Sequence, residues 1–513
     1  MENKKTKIIS IGAIVALALT VITATYAYFN AQVGDPAAAD VKINANTVDT
    51  FTFASGAGNQ TGSTYASALL TANNKTNTAT EHYYMYLNIE NNTFTYSINT
   101  NTPEIIMTVK NSAGNEVTDI STLNHVIVTG ANGTQVSGYD ITNKSGLITL
   151  FDNREITTTS SKEEKWNITI TFVNFDENQN ANAGKSMSAK VMIQKEVIPQ
   201  VVSDVCSNGT NLATCITTLA NKSIPSATNI YHHDSSLSNG AGDNSYRYAG
   251  ASDVVNNFVC FGSNESTCPT DNLYRIIGVF GNNVKLIKYD YGTTDELGTD
   301  GDYSKTYKER GMNSTYKGTY GDGERIGVYY WNNATQTNTW SESLLNKTNL
   351  NTNFINNIGE EWANKIATTT WKVGGNTYSN IYSKTPSVVY QNEIVSPVTT
   401  NTTDNATEYT AKIGLMYVSD YGFAADPSAW ALTMGSYNNT TATSTNWMYM
   451  GLYEWTISRS ADFSDFAFFV SRGGFVDDTG VHFNYAVRPS FSLLSSVTYS
   501  KGDGTQNSPI RIN

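Results

Sequence analysis

The feature that most limits how this chain can fold is an alternation of apolar and polar residues with a period of two. It is clearest in Trp166–Phe172 and recurs in Met187–Ile193. Successive side chains of a β-strand point to opposite faces, so such a segment buries one face and exposes the other. Four further segments are strand candidates: Tyr84–Ile89, Glu104–Val109, Val126–Val128 and Leu147–Leu150.

Turn-forming residues separate these segments at Ser112–Asn115, Gly130–Gly133 and Asn182–Gly184. Gly and Asn tolerate the backbone conformations that tight turns require. Short strands at regular spacing are typical of a β-sandwich. We therefore predict an all-β sandwich domain over residues 40–197.

The N-terminus indicates export. Three lysines at positions 4, 5 and 7 precede an uncharged apolar run, Ile8–Phe29. Basic residues before such a run keep the N-terminus on the cytoplasmic side. The run of about 20 residues can span a bilayer as a helix, while Ala27, with a small residue two positions earlier, allows cleavage. Residues 1–30 are therefore predicted to be a cleaved signal peptide or a retained membrane anchor. Both place the remainder outside the cell, on the envelope or secreted.

Cysteines occur in two close pairs, Cys206 with Cys215 and Cys260 with Cys268. Export permits disulfides, and each pair would close a loop of roughly ten residues. Neither pair has the CxxC spacing of a zinc site. We predict two local disulfides, and free thiols are the alternative.

Residues 198–250 are rich in Ser, Asn and Thr, and Ser235–Asp243 shows neither a strand nor a helix period. This composition predicts a connector. The formal net charge of the chain is −12, and the only dense basic cluster precedes the apolar run. Since phosphate recognition needs basic patches, nucleic acid is not an expected partner.

The C-terminal domain, residues 251–513, begins with a predicted hairpin of Asn272–Phe280 and Val284–Lys288. Helical spacing of apolar residues predicts helices at Ser341–Asn346 and Asn353–Ile366. Mixed helices and strands make this an α+β domain. Later strands are predicted at Ile413–Val418, Tyr453–Ile457, Ala467–Val470 and Arg488–Leu494.

The N-terminal half resembles the camelysin and biofilm-fibre proteins of Gram-positive bacteria. The likeness lies in Tyr26–Asn30, at the end of the export signal, and in Ser186–Gln194. The resemblance implies a jelly-roll that assembles into fibres. The alternative is a stalk that only holds the C-terminal half away from the envelope.

The C-terminal half carries a series of spaced framework motifs, among them Trp455–Arg459 and Val487–Phe491 near the end and Tyr274–Gly278 and Val284–Ile287 upstream. Gly502–Thr505 and Pro509–Ile512 close the series. This half resembles the C-type-lectin-like domains of bacterial surface proteins, which are related to formylglycine-generating enzymes. The resemblance implies a non-catalytic ligand-binding domain.

Several members of that branch are variable proteins of diversity-generating retroelements, in which adenine mutagenesis changes Asn codons. Lys, Glu, Gln, Met and Trp cannot arise this way from the usual Asn codon, and Thr456–Ser500 contains none of them. Chance in a β-rich tail is the alternative explanation. Aromatic and short polar residues between fixed framework positions fit a binding surface on a rigid scaffold. The candidate ligand-binding residues are Asp462, Phe463, Asp465, Phe466, Phe469, Ser471, Arg472, Phe475, Asp477, Asp478, His482, Phe483, Asn484 and Tyr485. A core position is the alternative for Phe463, Phe466, Phe468 and Phe469.

Features of a catalytic or metal site are missing from the sequence. The related enzymes act through late cysteines, and this chain has none after Cys268. His482 has no Ser or Asp in a triad order around it. The short sugar-binding motifs of calcium-dependent lectins are also missing. We therefore expect no enzyme activity, no cofactor and no metal.

Two hypotheses follow. In the first, the chain is an exported cell-surface protein whose lectin-like domain binds a protein or glycan on another cell, a phage or a host. In the second, it is a structural fibre or matrix subunit that self-assembles through the sandwich and carries the C-terminal domain as decoration. Both include a membrane partner for the N-terminal segment.

Overall fold

A computed structural model describes residues 39–45, 47–52, 60–72, 78–131, 133–307, 326–397, 406–438 and 440–513. The structure is mostly β, with several antiparallel sheets and few helices. It divides into two compact units, residues 1–198 with 222–224 and residues 199–221 with 225–513. The predicted signal or anchor lies outside the described residues, and within them no helix is long and apolar enough to cross a membrane.

The described part of the first unit forms ten strands in two sheets. The six-stranded sheet has the order β1-β3-β9-β5-β7-β6 and the four-stranded sheet the order β2-β10-β4-β8. All the pairings are antiparallel. The strands are β1 Ala39–Ala45, β2 Thr47–Thr52, β3 Gln60–Ala72, β4 Ala79–Asn92, β5 Ile105–Asn111, β6 His125–Thr129, β7 Gln135–Asp140, β8 Gly146–Thr158, β9 Ser161–Phe172 and β10 Ser186–Gln194.

One hydrophobic core lies between these two sheets, which confirms the strands predicted from the period-two pattern. In β9, Trp166, Ile168 and Ile170 are buried, and β10 alternates buried and half-buried residues along its whole length. The indole Nε1–H of Trp166 donates to the hydroxyl of Tyr83 at 2.9 Å, and that hydroxyl donates to Glu164 at 2.6 Å. These two buried polar groups of the core are therefore hydrogen-bonded, as burial requires.

The second unit contains the remaining strands. Its two seven-stranded sheets have the paths β11-β12-β14-β15-β26-β21 (with β13 beside β14) and β16-β17-β25-β22-β23-β24 (with β19 beside β22). The strands are β11 Ile230–His233, β12 Ser245–Tyr248, β13 Phe258–Cys260, β14 Leu273–Phe280, β15 Asn283–Lys288, β16 Tyr303–Tyr307, β17 Ile326–Tyr330, β18 Thr369–Lys372, β19 Gly375–Asn376, β20 Glu408–Ala411, β21 Ile413–Gly414, β22 Glu454–Ser460, β23 Phe466–Val470, β24 Val476–Gly480, β25 Asn484–Ala486, β26 Ser490–Ser492, β27 Tyr499–Lys501 and β28 Arg511–Ile512.

Short helices connect these strands. The α-helices are Leu212–Lys222, Pro225–Thr228, Thr294–Leu297, Ile355–Asn357, Glu360–Ala363, Tyr378–Tyr382, Pro386–Tyr390, Val418–Phe423 and Thr440–Ser444, and Leu345–Phe354 and Gln391–Val395 are π-helical. Single 3₁₀ turns occur at Asn180–Asn182, Val202–Asp204, Thr270–Asn272, Pro427–Ala429 and Met434–Ser436.

Residues 198–250 differ from the predicted connector. From Pro199 onward they belong to the second unit, apart from the short stretch 222–224. The helix Leu212–Lys222 buries Leu212, Ile216 and Leu219, and strand β12 pairs with β14 of the predicted hairpin. Strand β11 pairs in turn with β12. Short strands that acquire partners far away in the chain carry too little local pattern to be recognised.

The predicted helix Asn353–Ile366 also differs, because it is broken near its middle. Gly359 has φ = +81°, a left-handed conformation that ends one helix and precedes the next. The helical region instead extends back to Leu345 in the π-helical segment. Of the strand predicted at Ile413–Val418, only the first two residues are strand, since a helix begins at Val418.

Both predicted disulfides are present. Cys206 pairs with Cys215 and Cys260 with Cys268, with Cα–Cα distances of 5.6 and 5.8 Å. These distances lie in the normal range for disulfides. The two bonds indicate an oxidising, extracytoplasmic environment for the second unit.

Candidate ligand-binding surface of the C-terminal sheet

Residues 454–488, which we call the tail, supply four strands, β22 to β25, to one sheet of the second unit. Every residue of β22 is buried, and Trp455 is completely so. Its indole donates to the carbonyl of Tyr329 at 2.9 Å. The sheet is thus fixed at its centre and can hold the turns at its ends in defined positions.

Arg488 ties this sheet together from within. Its guanidinium donates to both carboxylate oxygens of Glu454, at 2.7 and 3.1 Å, and to the carbonyl of Met448 at 2.7 Å. Both side chains are buried. Burial raises the pKa of Glu454, against the opposing effect of Arg488. A buried pair with this many hydrogen bonds is a framework feature.

A second framework position is Gly474, in the turn between β23 and β24. Its φ is +90°, and a Cβ there would lie 2.3 Å from the side chain of Thr443. Its carbonyl accepts the hydroxyl proton of Tyr421 at 2.7 Å. Only glycine fits this position without rearrangement.

The fourteen candidate residues fall on the turns and strands of this tail. Two are buried, and the others are half-buried or exposed. The exposed ones are Asp462, Phe463, His482 and Phe483. The half-buried ones are Asp465, Phe466, Arg472, Phe475, Asp477, Asp478, Asn484 and Tyr485. The buried ones are Phe469 and Ser471.

Phe469 and Ser471 therefore hold the sheet together instead of facing a ligand. The ring of Phe469 lies 4.9 Å from that of Tyr485 and 5.7 Å from that of Tyr453. Ser471 accepts the backbone N–H of Gly474 and donates its own N–H to Phe475, which closes the turn. Of the phenylalanines for which a core position was the alternative, Phe468 and Phe469 are buried, whereas Phe463 is 53% exposed.

Two exposed phenyl rings stand out on turns of the tail. Phe463 packs against Phe466 with 4.7 Å between ring centroids, and Phe483, 48% exposed, packs against His482 at 4.8 Å. Aromatic side chains, phenylalanine among them, are enriched in protein-binding surfaces relative to the rest of a protein surface.

An acidic patch lies beside Phe463. Asp462 accepts the backbone N–H of Tyr378 at 2.6 Å, and Asp477 and Asp478 follow one another in the edge strand β24. Burial raises the pKa of Asp478 to about 6, helped by the nearby charges of Asp477 and Asp462. This part of the tail is negatively charged near neutral pH.

A cavity of about 140 Å³ is lined by residues of β16, β17 and β25 together with Leu452, Tyr453 and Arg472. Its polar lining includes Arg472 and Lys305, and its aromatic lining consists of Tyr307, Tyr453 and Tyr485. None of the described residues that line it is acidic. Arg472 donates to the hydroxyl of Tyr307 at 2.9 Å, and its guanidinium lies 4.9 Å from the ring of Tyr453. Burial raises the pKa of Tyr485, so the phenol stays neutral. We call this space the tail cavity.

Six of the nine residues that line the tail cavity are not among the candidates from the sequence, and three of these six are polar or aromatic. Lys305 and Tyr307 come from β16, far upstream, and Tyr453 directly precedes the tail. In the sheet, β17 separates β16 from the tail strand β25. Local pattern carries no signal for such a contact, although Tyr453 adjoins the Trp455 motif in sequence.

Potential metal ligands can be compared only within the described part of the chain. There, no three His, Cys, Asp or Glu side chains converge as metal ligands. Asp302, the most buried acidic residue of the loop 295–302, accepts backbone N–H groups from Asn333 and Leu345 at 3.0 and 2.8 Å. Its oxygens are therefore occupied by hydrogen bonds within the protein.

Comparison of the chain with known protein families, with characterised proteins and with solved structures finds no significant match.

Proposed function

We propose that this chain is an exported surface protein whose C-terminal unit binds a protein or glycan through its tail. The observation that carries the proposal is the division of the tail into buried framework and solvent-facing residues. Trp455 and Arg488 are buried in the sheet, while Phe463 and Phe483 are half exposed on its turns. A rigid scaffold that presents aromatic anchors among polar groups is typical of a binding surface.

The residues that line the tail cavity favour a particular chemical class of ligand for the tail. Its lining combines the two cations Lys305 and Arg472 with three tyrosine rings. Aromatic rings pack on flat sugar or peptide faces, and cationic donors bind acidic groups. An acidic protein segment or an acidic glycan on another cell, a phage or a host is the ligand class that this lining favours.

The finer assignments belong to the same proposal. The second unit is a C-type-lectin-like domain, its tail is diversified by a retroelement, and the first unit is a jelly-roll-like stalk. Residues 1–30 direct export or anchor the chain in the membrane. An adjacent reverse-transcriptase gene, with a near-copy of the codons for Thr456–Ser500, is the genomic observation that tests the diversification.

The binding experiment uses the protein without residues 1–30, probed against arrays of glycans and against surface proteins. Replacing Phe463 and Phe483 together with Ser removes two exposed rings and should leave the thermal transition of the second unit unchanged. We expect binding to any ligand found to fall at least tenfold, the loss of a hot-spot contact. Phe469→Ser is the matched control, which should lower stability by about 3 kcal/mol because the ring is buried. Unchanged binding in the double variant would contradict the proposed surface.

A specific observation favours the fibre hypothesis as a second candidate. Strand β6 is an edge strand of the six-stranded sheet, and its Ile127 is 64% exposed. An edge with an exposed apolar residue can accept a strand from another copy. Polymerisation of the protein lacking residues 1–30, measured by light scattering, should then be suppressed by Ile127→Lys. A chain that stays monomeric at high concentration would remove this candidate.

A further inference from the structure

The second unit contains another cavity, away from the tail, with walls formed mainly by aromatic rings. Its volume is about 220 Å³. The rings are those of Phe280, Trp371, Tyr390 and Tyr417, and Ile394 completes the apolar lining. Trp371 and Tyr417 are buried, whereas Phe280 and Tyr390 are half-buried. We call this space the aromatic cavity.

A buried group of charges lies at the wall of the aromatic cavity. Lys285 Nζ donates to Asp420 Oδ2 at 2.5 Å, and Arg247 approaches the other oxygen of Asp420 at 3.7 Å. All three side chains are at most 9% exposed. Arg247 also donates to Asp243 at 2.6 Å, but Asp243 does not line the cavity. Two buried cations and a single buried carboxylate thus face this space.

Asp420 has little capacity left for a ligand. The oxygen bonded to Lys285 also accepts the backbone N–H of Tyr417 at 3.0 Å. Lys285, in contrast, carries three N–H donors, of which Asp420 takes one. The ammonium lies 4.5 Å from the ring of Tyr417 and 5.3 Å from that of Trp371, so it stands among the rings. The groups of the wall therefore favour an acceptor on the ligand over a donor.

The environment of Lys285 also favours a ligand with a negatively charged acceptor. Burial lowers the pKa of Lys285, and the charge of Asp420 opposes that shift. A second anion beside the ammonium would stabilise its charged form further. A cavity with apolar walls and a few convergent polar groups is the usual form of a small-molecule site.

We propose that the aromatic cavity binds a small planar aromatic molecule that carries a carboxylate. The ring packs against Trp371 and the neighbouring tyrosines, and the carboxylate accepts hydrogen bonds from Lys285 and Arg247. This site is separate from the tail, because Asp462–Tyr485 contribute no residue to its described lining. Ser492 is the one residue of its described lining that belongs to Thr456–Ser500, so all its aromatic and charged groups lie outside the range proposed to diversify.

The test is calorimetric titration of the protein lacking residues 1–30 with benzoate, benzamide and benzylamine. Benzoate should bind with Kd on the order of 1 mM or tighter, which small ligands can reach. Benzamide should bind at least about tenfold more weakly, the loss expected when a hydrogen bond loses its charge assistance. Benzylamine should bind weakest, because its ammonium repels Lys285. Equal affinity for the three probes, or no binding of benzoate, overturns the proposal.

Two variants locate the site. Ile394→Trp fills the cavity without touching the charges, and it should abolish benzoate binding while the protein stays folded. Lys285→Met removes the main donor and should reduce the affinity for benzoate to that for benzamide. Lys288→Met is its matched control, since Lys288 is also buried and is ion-paired with Glu296 at 2.7 Å but does not line the cavity.

The outcome of these variants is decisive even if Lys285→Met unfolds the protein. Full benzoate binding in Ile394→Trp would place the ligand elsewhere and overturn the proposal. Loss of benzoate binding in the Phe463→Ser, Phe483→Ser variant would place it in the tail, with the same consequence. The proposed benzoate site needs no tail residue. If benzoate does not bind, the proposed function of the tail is therefore unaffected. If the tail binds no protein or glycan, the proposed benzoate site is likewise unaffected.

Discussion

At the scale of single residues, the tail contains buried residues that hold the sheet together and exposed residues that can contact a ligand. The sequence distinguishes these two groups only in part. The framework spacing predicted that Trp455 and Arg488 are structural, and both are buried in the structure. The same spacing does not distinguish Phe463 from Phe469, although Phe463 is 53% exposed and Phe469 only 6%. The difference arises from β25, which places Tyr485 over Phe469. Such a contact depends on strand order, which no local pattern contains.

The buried pair of Arg488 and Glu454 gives a prediction at this scale. Arg488→Ala leaves Glu454 buried and without its partner, which should lower the free energy of unfolding of the second unit by about 3–5 kcal/mol. Arg511→Ala is the control, because Arg511 is half-buried and donates only to backbone carbonyls. Its loss should cost about 1 kcal/mol. Urea unfolding measures both, and equal effects would show that Arg488 is not a framework residue.

At the scale of elements, the period-two pattern predicted the strands of the first unit because each of them has one buried face. In β10, buried residues alternate with half-buried ones in the predicted register. The bounds of the helices in the second unit are harder to predict from the sequence. The apolar spacing of Asn353–Ile366 marks helix, but Gly359 divides it and a π-helical turn extends it. The bounds therefore depend on packing against β21 and the neighbouring sheet, not on local propensity.

The disulfide between Cys260 and Cys268 lies at the end of a short strand, β13. Cys260 is the last residue of β13, which has only three residues and pairs with β14. Replacing Cys260 and Cys268 together with Ser should lower the free energy of unfolding by about 2–3 kcal/mol, since the bond restricts the unfolded chain. The Cys206–Cys215 disulfide closes a loop of similar length. Replacing Cys206 and Cys215 together with Ser therefore serves as the comparison. Thermal unfolding under oxidising and reducing conditions measures both, and a reductant should have no effect on the variant that lacks all four cysteines.

At the scale of the whole molecule, buried carboxyl groups of the second unit couple its stability to pH. Burial raises the pKa of Glu393 from the usual 4.5 to about 7, although its carboxylate accepts the backbone N–H groups of Val418 and Ser419, each at 3.0 Å. Ser458 donates a further hydrogen bond. Desolvation outweighs these three donors, so the folded protein holds a proton that the unfolded chain releases.

The sign of the pH dependence follows from that difference. Between pH 4.5 and 7 the folded state binds more protons than the unfolded state, so the contribution of Glu393 is complete below pH 4.5 and is lost as the pH rises to 7. A shift of this size corresponds to at most about 3 kcal/mol. Glu393→Gln stays neutral throughout, so its stability relative to the natural protein should increase over this interval and level off above it.

Tryptophan fluorescence during urea unfolding can follow this transition in the second unit, because only Trp166 of the eight tryptophans belongs to the first. Comparing the two proteins at each pH cancels the titration of other groups, including His233, whose pKa burial lowers to about 2. The exposed Glu265 provides the matched control, and Glu265→Gln should leave the pH profile unchanged. A stability difference between Glu393→Gln and the natural protein that stays constant from pH 4.5 to 7 would show that the buried carboxyl is ionised throughout, held by Val418, Ser419 and Ser458 against the cost of its burial.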